Sequence, residues 1–176
     1  MFLENKSYEI KTVVIDGKQG VPKVFCPIPI QICQFHQIKI ITFKLTKKPK
    51  LEAGKELRKL SLTLINTTEE IFTQELNNWY EKWKVFLNEK TLNIETGRKH
   101  FIHKKLRSAY RSLNKNLPYL FTYQKYPNLK IPNTTNSLDG VVFSHMKKLF
   151  KKHNGLRNEL REKLINDFLN RLNPQK

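Results

Sequence analysis

The alternation of apolar and polar positions changes period early in this chain. Over residues 8–15 side chains alternate and then concentrate the β-branched Val13, Val14 and Ile15 ahead of Asp16-Gly17, which predicts a strand closed by a turn. Asp16 stands at that strand's carboxyl end. A helical or turn segment through Val24 follows, Pro27 and Pro29 interrupt it, and residues 30–33 predict a second short strand. The stretch between the strands is long enough for a right-handed parallel crossover. From Phe35 the period becomes helical, with helices expected over 35–45 and 51–65, the second carrying Leu57, Leu60 and Leu64 on one stripe. Thr67-Thr68 supplies an amino-terminal cap for a third helix, along which Phe72, Leu76, Trp79, Trp83 and Phe86 recur. Ile102, Leu106, Ala109, Leu113 and Leu117 predict a fourth over 95–117, and Pro118, Pro127 and Pro132 mark a loop over 119–133. A helix over 137–152 ends at His153-Asn154-Gly155, and a last amphipathic helix covers 157–172. A mostly helical chain with two short parallel strands is the expectation.

Charge changes this picture more than size does. Lys and Arg number 33 against 15 Asp and Glu in 176 residues, a net charge of +18. Such a field repels itself unless a polyanion neutralises it, so nucleic acid is the expected partner, with a Lys-rich solvated surface as the plainer reading. Lys104, Arg107, Arg111 and Lys115 recur at helical spacing, as Lys147, Lys148, Lys151 and Lys152 roughly do, and offer phosphate contacts without a base-reading signature. The two cysteines, Cys26 and Cys33, are too few for a disulfide framework and suit a reducing cytosol. No apolar run approaches the roughly 20 residues that span a bilayer.

Three segments carry candidate chemistry: Val13-Val14-Ile15-Asp16-Gly17, Cys33-Gln34-Phe35-His36 and Thr135-Asn136-Ser137-Leu138-Asp139-Gly140. Together they resemble the carboxyl-terminal part of DDE transposases of bacterial insertion sequences related to Mutator-like elements, over about residues 8–169. The resemblance implies a partial RNase H-like α/β core: residues 1–36 hold its second acid, 37–133 form an all-helical insertion, and 134–176 are closing helices with the third acid. It implies that Asp16 and Asp139 are catalytic magnesium ligands, that Cys33 and His36 form a structural motif, and that Asn136 and Lys147 support the acid or the DNA. Implied partners are element-end and target DNA, with full-length enzyme or a second copy as a further possibility, in a bacterial cytoplasm near the nucleoid. This chain has Asp139 where the family has Glu, and it offers matches to only two of the family's three acids, so these 176 residues are expected not to catalyse alone.

Other readings of the same residues stay open. An Asp-Gly after a strand is commonly a turn, and an acid in a helix's first turn commonly serves the dipole. Cys33 and His36, with Cys26, are half of a zinc site or simply position strand and helix. His100 and His103 are expected on the surface of a basic helix. The Trp79, Trp83 and Phe86 stripe is expected to be core, with base stacking as its alternative. Residues 1–35, with only two strands to share a sheet, are expected to be partly disordered. A non-catalytic DNA-binding or transposition-inhibiting protein, and a decayed remnant, are the competing functions.

Overall fold

The structure, a computed structural model, describes residues 9–17, 20–135 and 138–172. β1 (Val13–Ile15) and β2 (Ile30–Ile32) pair in parallel, Val13 opposite Ile30, Val14 opposite Gln31 and Ile15 opposite Ile32. The crossover through residues 16–29 contains the short helix α1 (Val21–Val24). The helices α2 (Gln34–Leu45), α3 (Glu52–Thr63) and α4 (Glu69–Leu87) follow, then α5 (Lys104–Leu120), so the expected helical chain with two short parallel strands is the observed one.

Helices α2 to α5 bury one apolar stripe each. Ile41, Leu57, Phe72, Leu76, Leu113, Leu120 and Phe121 are inaccessible to solvent and belong to one cluster that also takes in Ile32 of β2. Each such side chain stabilises the fold by roughly 1.5–3 kcal/mol relative to its exposed state. The tryptophan stripe is core, as its spacing indicated: Trp79 is buried, donates to the Ala53 carbonyl at 3.1 Å and stacks on Tyr110. Trp83 and Phe86 are half-buried against the same cluster. Trp83 donates to Glu56, which also accepts from Lys82; these bonds, Lys82's first, hold the Glu56 carboxyl below its ordinary range.

Polar groups tie the strands to the helices. Gln31, Gln34 and Gln37 are all inaccessible to solvent. The Gln31 amide donates to the Leu120 carbonyl at 2.9 Å and accepts from the Tyr123 backbone N–H at 3.0 Å; Gln34 donates to the same carbonyl at 3.0 Å. Leu120 ends α5, where carbonyls have no partner within the helix, so the two glutamines satisfy an acceptor that burial would otherwise leave bare. Thr122 donates to the Ile30 carbonyl at 2.7 Å, fastening the outer side of β2 as well. Within the segment expected to be partly disordered, all three β2 residues are therefore buried and bonded.

Two expectations need correction. The region 37–133 is not all helical, because residues 90–101 form an antiparallel hairpin, β3 (Lys90–Leu92) with β4 (Lys99–Phe101), and α5 begins only at Lys104. Local turn chemistry decides this: the Asn93 side chain accepts from the backbone of Glu95 and Thr96, and Gly97 takes a φ of 63° that few other residues accept. Ile102, which matched the helical stripe, is 51% exposed. The segment 119–133 is not a plain loop either. It holds the short helix α6 (Thr122–Lys125) and a 3-10 turn (Pro127–Leu129), because Phe121 and Ile131 are drawn into the interior.

Residues 135–176 cluster as a second unit, described here by itself. A π-helical turn (Leu138–Phe143) leads into α7 (Ser144–Lys152), followed by α8 (Asn158–Leu172). The expected α-helix over 137–152 is thus widened at its start. Gly140 and the β-branched Val141 and Val142 weaken α-helical preference there, and the Ser144 hydroxyl donates back to the Gly140 carbonyl.

Two outcomes follow from this packing. Gln31→Leu is expected to lower unfolding free energy by about 1–3 kcal/mol, because the Tyr123 N–H loses its acceptor in the interior; denaturant melts check this, and a loss below about 0.5 kcal/mol would remove Gln31 from its assigned place. Burial, then the neighbouring Tyr80 and Glu81, raise the Tyr110 phenol above its ordinary range. A group raised on folding gives stability that is present below the unfolded value and lost as pH climbs through the folded one. Tyr110→Phe should therefore flatten the fall in melting temperature above about pH 10, whereas an unchanged fall would assign the alkaline loss to other groups.

Candidate functional site

β1 delivers Asp16 to the rim of an open cleft of about 550 Å³, lined also by Gly17, His36, Lys39, Phe43 and Lys44. Gly17 follows with a φ of 88°, and a Cβ there would sit 3.6 Å from Ile32 and 3.9 Å from the Asn116 amide. Asn116 is held in turn by its 2.8 Å bond to Gln37, which links α2 to α5. Cys33 precedes α2 at its cap position and is fully buried; its amide donates to the Ile15 carbonyl at 2.8 Å, directly beside Asp16 in sequence. One helical turn into α2, His36 faces the Asp16 cleft. Two of the three sequence segments thus meet at one place.

The metal chemistry of this place is limited. Among the described residues no group of three or more His, Cys, Asp and Glu could hold a metal ion. The cleft offers one carboxylate and one imidazole beside two ammonium groups. Magnesium takes hard oxygen ligands in an octahedron, so this donor set does not fit it. Zinc would need two further ligands with Cys33 and His36, and Cys26 is exposed on a different surface, beside Pro118 and Tyr126. Of the third segment, Asn136 lies outside the described residues. The backbone of Asp139 lies in the π-helical turn, and its side chain lies outside the description. Lys147 and Lys151 are exposed on α7.

The basic residues of α5 have unequal roles. Lys104 and Arg111 are exposed, whereas Arg107 is half-buried: it donates to the Leu87 carbonyl at 2.8 Å and to the Asn88 side chain at 2.6 Å, with its guanidinium 3.6 Å over the Phe101 ring. Arg107 therefore clamps the hairpin onto α5 as well as carrying charge. The histidines depart from expectation. His100 is on β4, and His103 precedes α5, stacked on Phe86 and bonded to Glu89 at 3.0 Å. Neither is a helix-surface residue, because the helix starts after them. The hairpin was missed in the sequence; its legible signal was the Asn93 and Gly97 pair bracketing a tight turn.

Comparison with known protein families, curated proteins and solved structures gives no match to this chain. No helix among the described residues is long and apolar enough to cross a membrane.

Arg107→Ala is expected to speed amide exchange across the hairpin, including the Ile102 N–H that donates to Glu89, by about tenfold or more, while Arg111→Ala leaves it unchanged. Equal effects of the two variants would show that Arg107 is not the clamp.

Proposed function

We propose that this chain is the carboxyl-terminal part of a DDE transposase's catalytic region, which binds DNA and does not cleave it unaided. The observation that supports this reading most is that Asp16, at the end of a parallel strand, and His36, of the Cys33-x-x-His36 segment, line one cleft together with two lysines. The resemblance would give Asp16 and Asp139 the roles of metal-ligating acids, but the described donors at the Asp16 cleft do not fit magnesium, so no metal step is assigned to these residues. The chain's own described residues hold DNA: Lys39 and Lys44 sit where a phosphate would approach Asp16, and an RNase H-like origin accounts for the parallel pair.

A non-catalytic DNA-binding or transposition-inhibiting protein is the second reading. It is favoured by the single carboxylate in an otherwise cationic cleft and by the net charge of +18. Both readings require DNA affinity that falls with salt.

Purified chain is expected to bind duplex DNA with log K falling linearly in log salt, at about −0.9 per phosphate neutralised, and to leave the DNA uncut with magnesium present. A salt-independent affinity would sink both readings. Magnesium-dependent nicking lost in Asp16→Ala would replace the non-catalytic statement with an active enzyme.

A further inference from the structure

The hairpin gives the first unit a cationic strip that the helix alone would not have. In the β3–β4 register Lys90 faces Phe101 and Leu92 faces Lys99, so alternation puts these four side chains on one face of the ribbon. Phe101, on that face, also lines a groove of about 240 Å³ with Lys104, Arg107, Ser108 and Arg111 of α5, and no carboxylate lines it. Glu89, just ahead of β3, is engaged by His103 at 3.0 Å. At the other end of the groove Lys44 donates to Ser108 at 2.6 Å, and Lys44 also lines the Asp16 cleft. Lys99, Lys90, Lys104, Arg111 and Lys44 therefore form one path from the hairpin to Asp16.

The rings along the hairpin and α5 are already occupied, and Phe43, at the cleft end of the path, is an exposed ring. The Phe101 ring carries the Arg107 guanidinium at 3.6 Å and the Lys90 ammonium at 5.0 Å, and Tyr110 is stacked between Trp79 and Tyr80. Single-stranded nucleic acid is held by a succession of free ring faces on which bases stack, and one exposed ring at the end of the strip does not supply that, so the strip has the chemistry of a phosphate track instead. From Lys104 to Arg111 and on to Lys115 the helix advances about 16 Å, a length over which a duplex carries on the order of ten phosphate charges.

We propose that the hairpin β3–β4 and the Lys104–Arg111 flank of α5 form a docking track for the backbone of duplex DNA, ending at the Asp16 cleft through Lys44. The inference rests on the DNA-binding reading and goes beyond it by naming the surface and the form of the nucleic acid. The test is fluorescence anisotropy on the whole chain with a labelled duplex of about 20 base pairs across a salt series. A variant with Lys90, Lys99, Lys104 and Arg111 changed to Ala is compared with one carrying Ala at Lys147, Lys148, Lys151 and Lys152. Both remove four charges, so a loss of net charge affects them alike, and Arg107 is left intact to keep the hairpin in place. The strip variant is expected to bind at least about tenfold more weakly and to lose about 3–4 units of the log–log salt slope, with an unchanged melting temperature and a smaller effect in the α7 variant. If the parent chain binds and the strip variant matches it, or the α7 variant loses more, the track is refuted while the DNA reading stands. Tighter binding of single-stranded DNA or of RNA of equal length also refutes the track. Absence of any binding by the parent chain refutes the track and the DNA reading together.

Discussion

The fold depends on how a buried helix end is satisfied. α5 finishes inside the molecule, and its Leu120 carbonyl would lie bare in the interior without the amides of Gln31 and Gln34. A buried unpaired acceptor costs about 1–3 kcal/mol, comparable to the burial of one large apolar side chain. Satisfying it needs β2, the start of α2 and the end of α5 to meet in one arrangement. Apolar packing alone tolerates small slips of one element against another, whereas a network of this kind does not. Gln37 adds separate bonds between α2 and α5, to Ser112 and Asn116, which fix the two helices at a second point.

A short parallel pair has little stability of its own, because two strands share few backbone bonds and leave edges uncovered. Here β2 is enclosed: its residues are buried, Thr122 at the α5–α6 corner donates to the Ile30 carbonyl, and the Tyr123 N–H there donates to the Gln31 side chain. β1 then borrows order from β2 by pairing, and Asp16 inherits its position from β1. The chain of dependence runs from the end of α5 outward to the proposed acid, which makes the cleft a product of helical packing more than of the sheet.

On this frame Glu89 is bonded to His103, while Lys90, Lys99 and Phe101 share one face of the hairpin, and Arg107 spans hairpin and helix by hydrogen bonds and ring contact. A guanidinium that is bonded in place loses less freedom on meeting a phosphate than a free lysine does, but it also has fewer donors left to give. The exposed lysines around it are therefore the groups with capacity to spare, and Arg107 sets where they stand.

The sequence by itself determined the strand before Asp16, the helical stripes of Leu57, Phe72, Leu76, Trp79 and Leu113, and the excess of positive charge, because each is written in local periodicity or in composition. The hairpin over residues 90–101 was only half legible: Asn93 and Gly97 marked a turn, yet the apolar period of α5 ran back through Ile102 and masked it. What tertiary structure alone decided is which polar groups are buried. Gln31, Gln34 and Gln37 read as ordinary polar positions along the chain, and their role exists only once distant residues of α5 meet them, the Leu120 carbonyl for Gln31 and Gln34 and the Ser112 and Asn116 side chains for Gln37. Likewise Lys44 and Ser108 lie on separate helices, and only their packing joins a basic hairpin to the Asp16 cleft. Periodicity records which face of an element is apolar; it carries no information about which element that face will meet.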